Sequence, residues 1–344
     1  MKFKEAFTLD SGLQPGSPIF ETSQGWLLAS IGKIGFTNQI CMVDEKGKII
    51  WQKSFAFGTT SMILNEDGAF VLDDHGNFYS VNQRGEITSN LANVVPPGRS
   101  IMAKGFGDSV YASGEDDSIT HFLTDGNIEW EAMEKSQSTC LFNTKGALIA
   151  SERGEALVGY DSNGEELWRL KVDGFAPNVP VELENGNLVW GLRTADASSG
   201  FVTAITQLGK KAWTTKLSKG VDWVFQVNSG YLVIGPLYAA GLDKTGKLKW
   251  EQPFDGSRKL YPLGFNDDGR LVLGILNPDG DEESLKITLL MGEGRISEVG
   301  KIPLKKNSLV NVSRHGKFFL LGMKNKIVAY RAVTMKEFIE GEGK

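Results

Sequence analysis

Reactive side chains are scarce in this chain: two cysteines and three histidines in 344 residues. Cys41 and Cys140 fall at different positions of different repeats, so they are expected to be free, buried thiols and not a disulfide. His75, His121 and His315 are likewise scattered, without the spacing of a metal site, and read as ordinary turn or strand residues. A basic excess is missing too. The formal net charge is −5 and only 23% of residues are charged, which argues against a general nucleic-acid surface. No apolar run approaches the roughly 18–20 residues needed to cross a bilayer. Residues Met1 to Asp10 lack the apolar segment of a signal peptide, so the chain as given is expected in the cytoplasm, or outside it if a leader precedes these residues. No glycine-rich phosphate loop precedes a helix.

Glycine, in contrast, is abundant: 41 of the 344 residues, above the usual ~7%. Hydrophobic content is 41%, enough for a large core. Much of the glycine is periodic. Gly25, Gly68, Gly107, Gly146, Gly186, Gly230, Gly269 and Gly316 each precede an apolar strand, with a period of roughly 40 residues that marks a β-propeller blade. A second glycine precedes a tryptophan by four: Gly47 and Trp51, Gly126 and Trp130, Gly164 and Trp168, Gly209 and Trp213, Gly246 and Trp250. Each copy divides into strands A to D. In the second copy these are Ser61 to Asn65, Ala69 to Leu72, Asn77 to Val81 and Glu86 to Ser89. Polar residues followed by glycine suit a type I turn closed by a left-handed residue. The tryptophan, at the start of the outer strand, is expected to bury between neighbouring blades. The second copy has Ser89 or its neighbours there and the seventh is irregular, so those two blades are expected to be held less tightly.

The eighth copy ends after strand C, at Tyr330. Its fourth strand is expected from the N-terminus, because Phe3 to Phe7 repeats the spacing of Trp51 to Phe55. The sequence thus predicts an all-β fold: a single eight-bladed β-propeller of four-stranded blades over residues 1–333, with residues 1–9 completing the last blade and leaving no open edge. Residues 334–344 form a short tail, helical or frayed.

Two stretches, Tyr160-Asp161-Ser162-Asn163-Gly164-Glu165-Glu166-Leu167-Trp168 and Leu242-Asp243-Lys244-Thr245-Gly246-Lys247-Leu248-Lys249-Trp250, resemble the quinoprotein-type, or PQQ-like, propeller repeat. The resemblance covers essentially the whole chain and implies the architecture. The family includes quinone-dependent dehydrogenases, lipoprotein scaffolds of outer-membrane assembly and sensor domains. Many of the dehydrogenases carry adjacent cysteines and a calcium site of Glu, Asn and Asp. This chain has no Cys-Cys pair, no WD dipeptide of the WD type and no paired glycines of the kelch type. Neither PQQ nor Ca²⁺ is therefore expected as a cofactor. The acidic stretch Asp279 to Glu283 lacks the spacing of a calcium loop and reads as a solvated loop.

The A–B and C–D turns are short and regular, whereas the B–C and D–A connections vary, and variable loops on a rigid scaffold usually carry function. The longer connections are Ile31 to Gln39, Ala92 to Arg99, Asp173 to Pro180, Leu192 to Gly200 and Asn277 to Glu283. Seven residues past each repeat glycine lies a position at the end of strand B: Gly32, His75, Gly114, Arg153, Arg193, Leu237, Leu276 and Met323. His75, Arg153 and Arg193 supply cationic or polar groups, and Leu237, Leu276 and Met323 supply apolar ones. Together they are the candidate ligand site for an anionic small molecule, a peptide or a partner protein, since arginine binds carboxylate and phosphate in bidentate fashion. In the other reading the arginines pair with Glu152, Asp196 or Asp116 and only stiffen the rim. Glu21 and Glu182 occupy matching strand-A positions, with Gln226 as a third, and an acid/base pair there is a further possibility, weakened by their being expected on opposite blades. The function expected is a non-catalytic, monomeric binding module, with a quinoprotein-like or other propeller enzyme as the alternative.

Overall fold

The computed structural model describes the chain apart from residue 1 and residues 10–18, 23–24, 30–37, 145–146, 154, 255, 280–281, 291, 307–308, 316–317, 324–325 and 334–344. Gly32, Gly146, Gly316, most of the Ile31 to Gln39 connection and the C-terminal tail lie outside the described residues. The described strands form eight four-stranded antiparallel sheets, an eight-bladed β-propeller. Blade 3, for example, runs Ile101–Lys104, Ser109–Ser113, Ser118–Leu123 and Ile128–Met133 as strands A to D. Blade 4 runs Ser138–Thr144, Ala147–Glu152, Ala156–Tyr160 and Glu166–Lys171.

Strands B and C are largely buried because both of their faces are covered. Ala156–Tyr160 is buried at every position. Strand D alternates, with one face turned outward, as in Ile49–Ser54.

The last blade closes as expected. Lys2–Leu9 pairs antiparallel with Lys326–Val333, with Phe3 opposite Ala332 and Leu9 opposite Ile327. The internal alignment differs by four residues from the one the spacing implied. Every C–D pair carries a bulge, at Met42/Val43 in blade 1 and at Glu5/Phe7 here. Trp51 is the residue just past the blade 1 bulge, and Phe7 holds that place in the N-terminal strand. Phe7, not Phe3, stacks on Trp26 (5.8 Å between centroids) and lies against Gly47, whereas Phe3 packs edge-on to Phe319 at 5.2 Å. The hydrophobic spacing was right, but register is set by the bulge, which spacing does not reveal.

The recurrent glycines prove to have two tasks. At the C–D turns they lie in the left-handed region, with φ of +82° at Gly47, +79° at Gly85, +82° at Gly164, +70° at Gly209 and +84° at Gly246. An aspartate at the turn's start fixes that geometry: the Asp44, Asp161 and Asp243 carboxylates each accept two backbone N–H groups, for example Lys46 at 2.9 Å and Lys48 at 2.8 Å on Asp44. The second task is to receive the neighbour's aromatic ring. A Cβ on Gly164 would lie 2.6 Å from the Trp130 ring, on Gly209 2.2 Å from Trp168, and on Gly246 2.4 Å from Trp213. Trp51, Trp130, Trp168 and Trp213 therefore each pack on the turn glycine of the following blade. In blade 2, where tryptophan is missing, Leu91 reaches Gly126 and Ser89 Oγ donates to the Thr124 carbonyl.

Two compact units make up the chain. One comprises Met1–Thr59, Gln83–Gly85 and Phe254–Lys344, with blades 1, 7 and 8 and a core that includes Trp26, Cys41, Leu285, Leu320 and Leu321. The other comprises Thr60–Asn82 and Glu86–Pro253, with Phe78, Phe122, Trp190 and Val233 among its fully buried side chains. Both cysteines are free and buried, and burial pushes both thiols up to about 12. No helix among the described residues is long and apolar enough to cross a membrane.

Candidate functional site

A cavity of about 490 Å³ opens at the B–C and D–A ends of blades 3, 4 and 5, within the second unit. Three arginines line it: Arg99 before strand A of blade 3, Arg153 after strand B of blade 4, and Arg193 at the end of strand B of blade 5. Propeller topology brings them together, because every strand A begins, and every strand B ends, on this face.

The wall between them is built by local chemistry. The segment from Gly174 to Asn178 connects blades 4 and 5. Gly174, at φ +130°, passes so close to blade 5 that a Cβ would sit 2.4 Å from the Arg193 carbonyl. That approach lets Phe175 and Arg193 exchange backbone hydrogen bonds of 3.1 and 3.0 Å. Thr139 Oγ1 donates to the Ala176 carbonyl at 2.9 Å, Ser151 Oγ accepts the Ala176 N–H at 2.8 Å, and the buried Trp190 indole donates to the Asn178 carbonyl at 2.7 Å. A segment held by this many bonds is a preformed wall.

The three guanidinium groups differ. Arg193 is anchored: its Nη1 lies 2.6 Å from Asp222 Oδ1, its guanidinium sits 5.7 Å from the Phe175 ring centroid, and its Nε is buried without a partner among the described residues. Arg99 and Arg153 are exposed, and neither has a carboxylate partner among the described residues. Only their backbones are tied down: the Arg153 N–H donates to the Gln137 carbonyl at 3.1 Å, and Gln137 Nε2 donates to the Arg99 carbonyl at 3.5 Å. The carboxylates weighed as partners are engaged elsewhere: Glu152 with Arg169 and the Lys135 N–H, Asp196 with Thr194 and the Ser198 N–H, and Asp116 with Ser118.

Behind the lining lies a carboxyl group that the sequence reading passed over. Glu134 is 7% exposed and follows strand D of blade 3. Two serines of the cavity lining donate to it: Ser113 Oγ to Oε2 at 3.2 Å, and Ser138 Oγ to Oε1. No cation pairs with it among the described residues. Its pKa is raised to about 7: burial and, less strongly, the neighbouring Glu152 raise it, and the two serines partly offset the rise. A signal was present in the repeat. Four residues past the tryptophan, blades 1, 4, 5 and 6 carry Phe55, Val172, Leu217 and Phe254, all buried, and blade 3 carries Glu134.

The other candidate positions sit elsewhere. His75 has a side chain that is 49% exposed and is hydrogen-bonded to Asp74 Oδ1 at 2.8 Å. Leu237, 38% exposed, lies in the B–C turn of blade 6. Leu276 and Met323 belong to the first unit, where Leu276 is 5% exposed in the core and Met323 packs against that core. Glu182 accepts from Thr144 Oγ1 at 2.7 Å. His121 stacks on Tyr111 at 4.3 Å, and burial lowers its pKa. No group of three metal-ligating side chains occurs among the described residues.

No family model and no curated protein matches the chain. Solved structures do. BamB from Moraxella catarrhalis superposes with a TM-score of 0.67 at 14% identity, over 96% of this chain and 98% of that one. The computationally designed Ika8 protein gives 0.74 at 12%, over 96% and 100%. The C-terminal WD40 domain of Sif2 gives 0.73 at 10%, over 96% and 99%. At such identities the likeness concerns the propeller fold.

Proposed function

We infer that this protein is a binding module whose cavity at blades 3, 4 and 5 takes up a carboxylate-bearing segment of a partner protein. The observation carrying this reading is the pair of uncommitted guanidiniums, Arg99 and Arg153, beside an anchored third, Arg193, in one concave site. Guanidinium groups bind carboxylates through paired charge-assisted hydrogen bonds. A volume of about 490 Å³ falls in the usual range for ligand sites and accommodates a few acidic side chains. The Gly-x-x-x-Trp joints support placing the repeat with the quinoprotein type, serving here as scaffold and not as a quinone site. The test is fluorescence anisotropy with a labelled, end-blocked tetraglutamate peptide and its tetraglutamine counterpart. The tetraglutamate peptide is expected to bind, to weaken as salt rises, and to lose at least ~10-fold in affinity when Arg99 and Arg153 are both changed to Ala. Equal binding of the two peptides, or indifference to the double substitution, would refute the reading.

A further inference from the structure

We propose that the cavity is a proton-coupled anion site, in which Glu134 sets whether Ser113 and Ser138 present donors or acceptors to the ligand. The proposal rests on the reading of the cavity as an anion site and adds the device that regulates it.

The geometry is a relay of three groups. Ser113 and Ser138 line the cavity and both direct their hydroxyl hydrogens away from it, onto the two oxygens of Glu134. A hydroxyl has one hydrogen to give. While Glu134 is ionised, both serines are committed and turn lone pairs toward the cavity, and a buried negative charge stands behind them. An arriving carboxylate meets repulsion from both. Once Glu134 is protonated, its own O–H donates to one serine. That serine's hydrogen is released and can rotate toward the ligand. One proton thus removes a charge and converts an acceptor into a donor.

The surroundings leave the proton to Glu134. Strand B of blade 4 brings Glu152, which is already paired with Arg169 from strand D, and Arg169 also holds Glu166. Strand C brings the Tyr160 phenol, whose ionisation is pushed far above the usual range by burial and by Glu134 and Glu152. The blade 3 turn supplies a backbone acceptor, the Asp117 carbonyl, for the Glu134 N–H at 2.7 Å. Arg99, Arg153, Arg193 and Glu155 face the same cavity. With burial raising its pKa to about 7, Glu134 titrates in the neutral range while glutamate side chains of a ligand stay ionised. The position itself reinforces the argument. Phe55, Val172, Leu217 and Phe254 show that an apolar residue satisfies the scaffold here, so the carboxyl is not demanded by the fold.

Binding of the end-blocked tetraglutamate peptide, measured from pH 6 to pH 8.5, tests this. The dissociation constant is expected to rise by about 10-fold or more across that range. Calorimetry at pH 8 in two buffers of different ionisation enthalpy is expected to report uptake of close to one proton per peptide. Glu134→Gln keeps an N–H donor toward one serine and carries no charge, so it should hold the donor state permanently: tight binding at pH 8.5, no pH dependence and no proton uptake. A gain of affinity at high pH is not what a merely damaged fold produces. Peptide binding that is unchanged with pH, or a Glu134→Gln variant that keeps the wild-type pH profile, overturns this inference and leaves the binding reading intact. Failure of the peptide to bind at pH 6 as well overturns both.

Discussion

The two ends of the blades use one scaffold under opposite demands. At the C–D turns the copies agree. In several blades a left-handed glycine sits under an aromatic ring from the preceding blade, with Trp130 on Gly164, Trp168 on Gly209 and Trp213 on Gly246. At the B–C and D–A ends of blades 3, 4 and 5 the copies part. One repeat position carries Arg153 and Arg193 in two blades and Gly114 in the third, and Glu134 replaces an apolar residue. Uniformity marks where the fold is held together, and departures from the repeat mark where chemistry has room.

Substitutions can break this contrast from either side. The largest effect is expected at the joints. Gly209→Ala places a Cβ within 2.2 Å of the Trp168 ring at a φ of +70° and should cost about 3 kcal/mol, read as a fall in the urea midpoint. Gly269→Ala, with a φ of +71° and nothing within 4 Å, should cost only about 1 kcal/mol. Equal losses at the two sites would show that backbone strain alone explains the joint.

Next comes Glu134→Val, which installs the residue type blade 4 has at Val172. The Glu134 pKa is raised in the fold, from 4.5 to about 7, so the folded state binds more protons than the unfolded one between those values. Wild-type stability from this group is greatest below about pH 4.5, declines as pH rises to about 7, and is flat above. The valine variant should therefore exceed wild type by on the order of 2–3 kcal/mol at pH 8.5 and show little gain at pH 5, which thermal melts at the two pH values would read.

A smaller difference separates two tryptophans. The Trp51 indole donates to the Gln83 carbonyl at 2.8 Å, whereas Trp130 Nε1 is buried without a partner among the described residues. Trp51→Phe is expected to cost about 1 kcal/mol more than Trp130→Phe in denaturant midpoints. The smallest effect on stability is expected for Arg153→Ala, within about 0.5 kcal/mol, because its side chain is exposed and has no carboxylate partner among the described residues. Arg193→Ala should cost more, since it removes the ion pair with Asp222, whose side chain is 12% exposed.

Much of this architecture was legible in the residues. Period, turn glycines and alternating apolar runs specified eight blades and the closing strand, because each blade is a local hairpin array whose signals lie within about 40 residues. Arg153 and Arg193 were legible through the same counting. Arg99 was named only as the end of a long connection, and Asp222 and Glu134 were missed. What ties these three to the cavity is contact between blades, which no single repeat encodes. Leu276 shows the converse: it shares the counted position with Arg193, yet lies in the core of its own unit.

By itself, then, the sequence determined the number of blades, the kind of turn that joins their strands, and the origin of the final strand, since these follow from short-range backbone geometry and hydrophobic period. The tertiary structure alone decided that Phe7 takes the tryptophan's place, that the rings of Trp51, Trp130, Trp168 and Trp213 rest on the next blade's glycine, and that a buried carboxyl stands behind two serines beneath three arginines. Those relations depend on register and on distances between blades, and a bulge of one residue or a single close glycine changes them without altering the pattern along the chain.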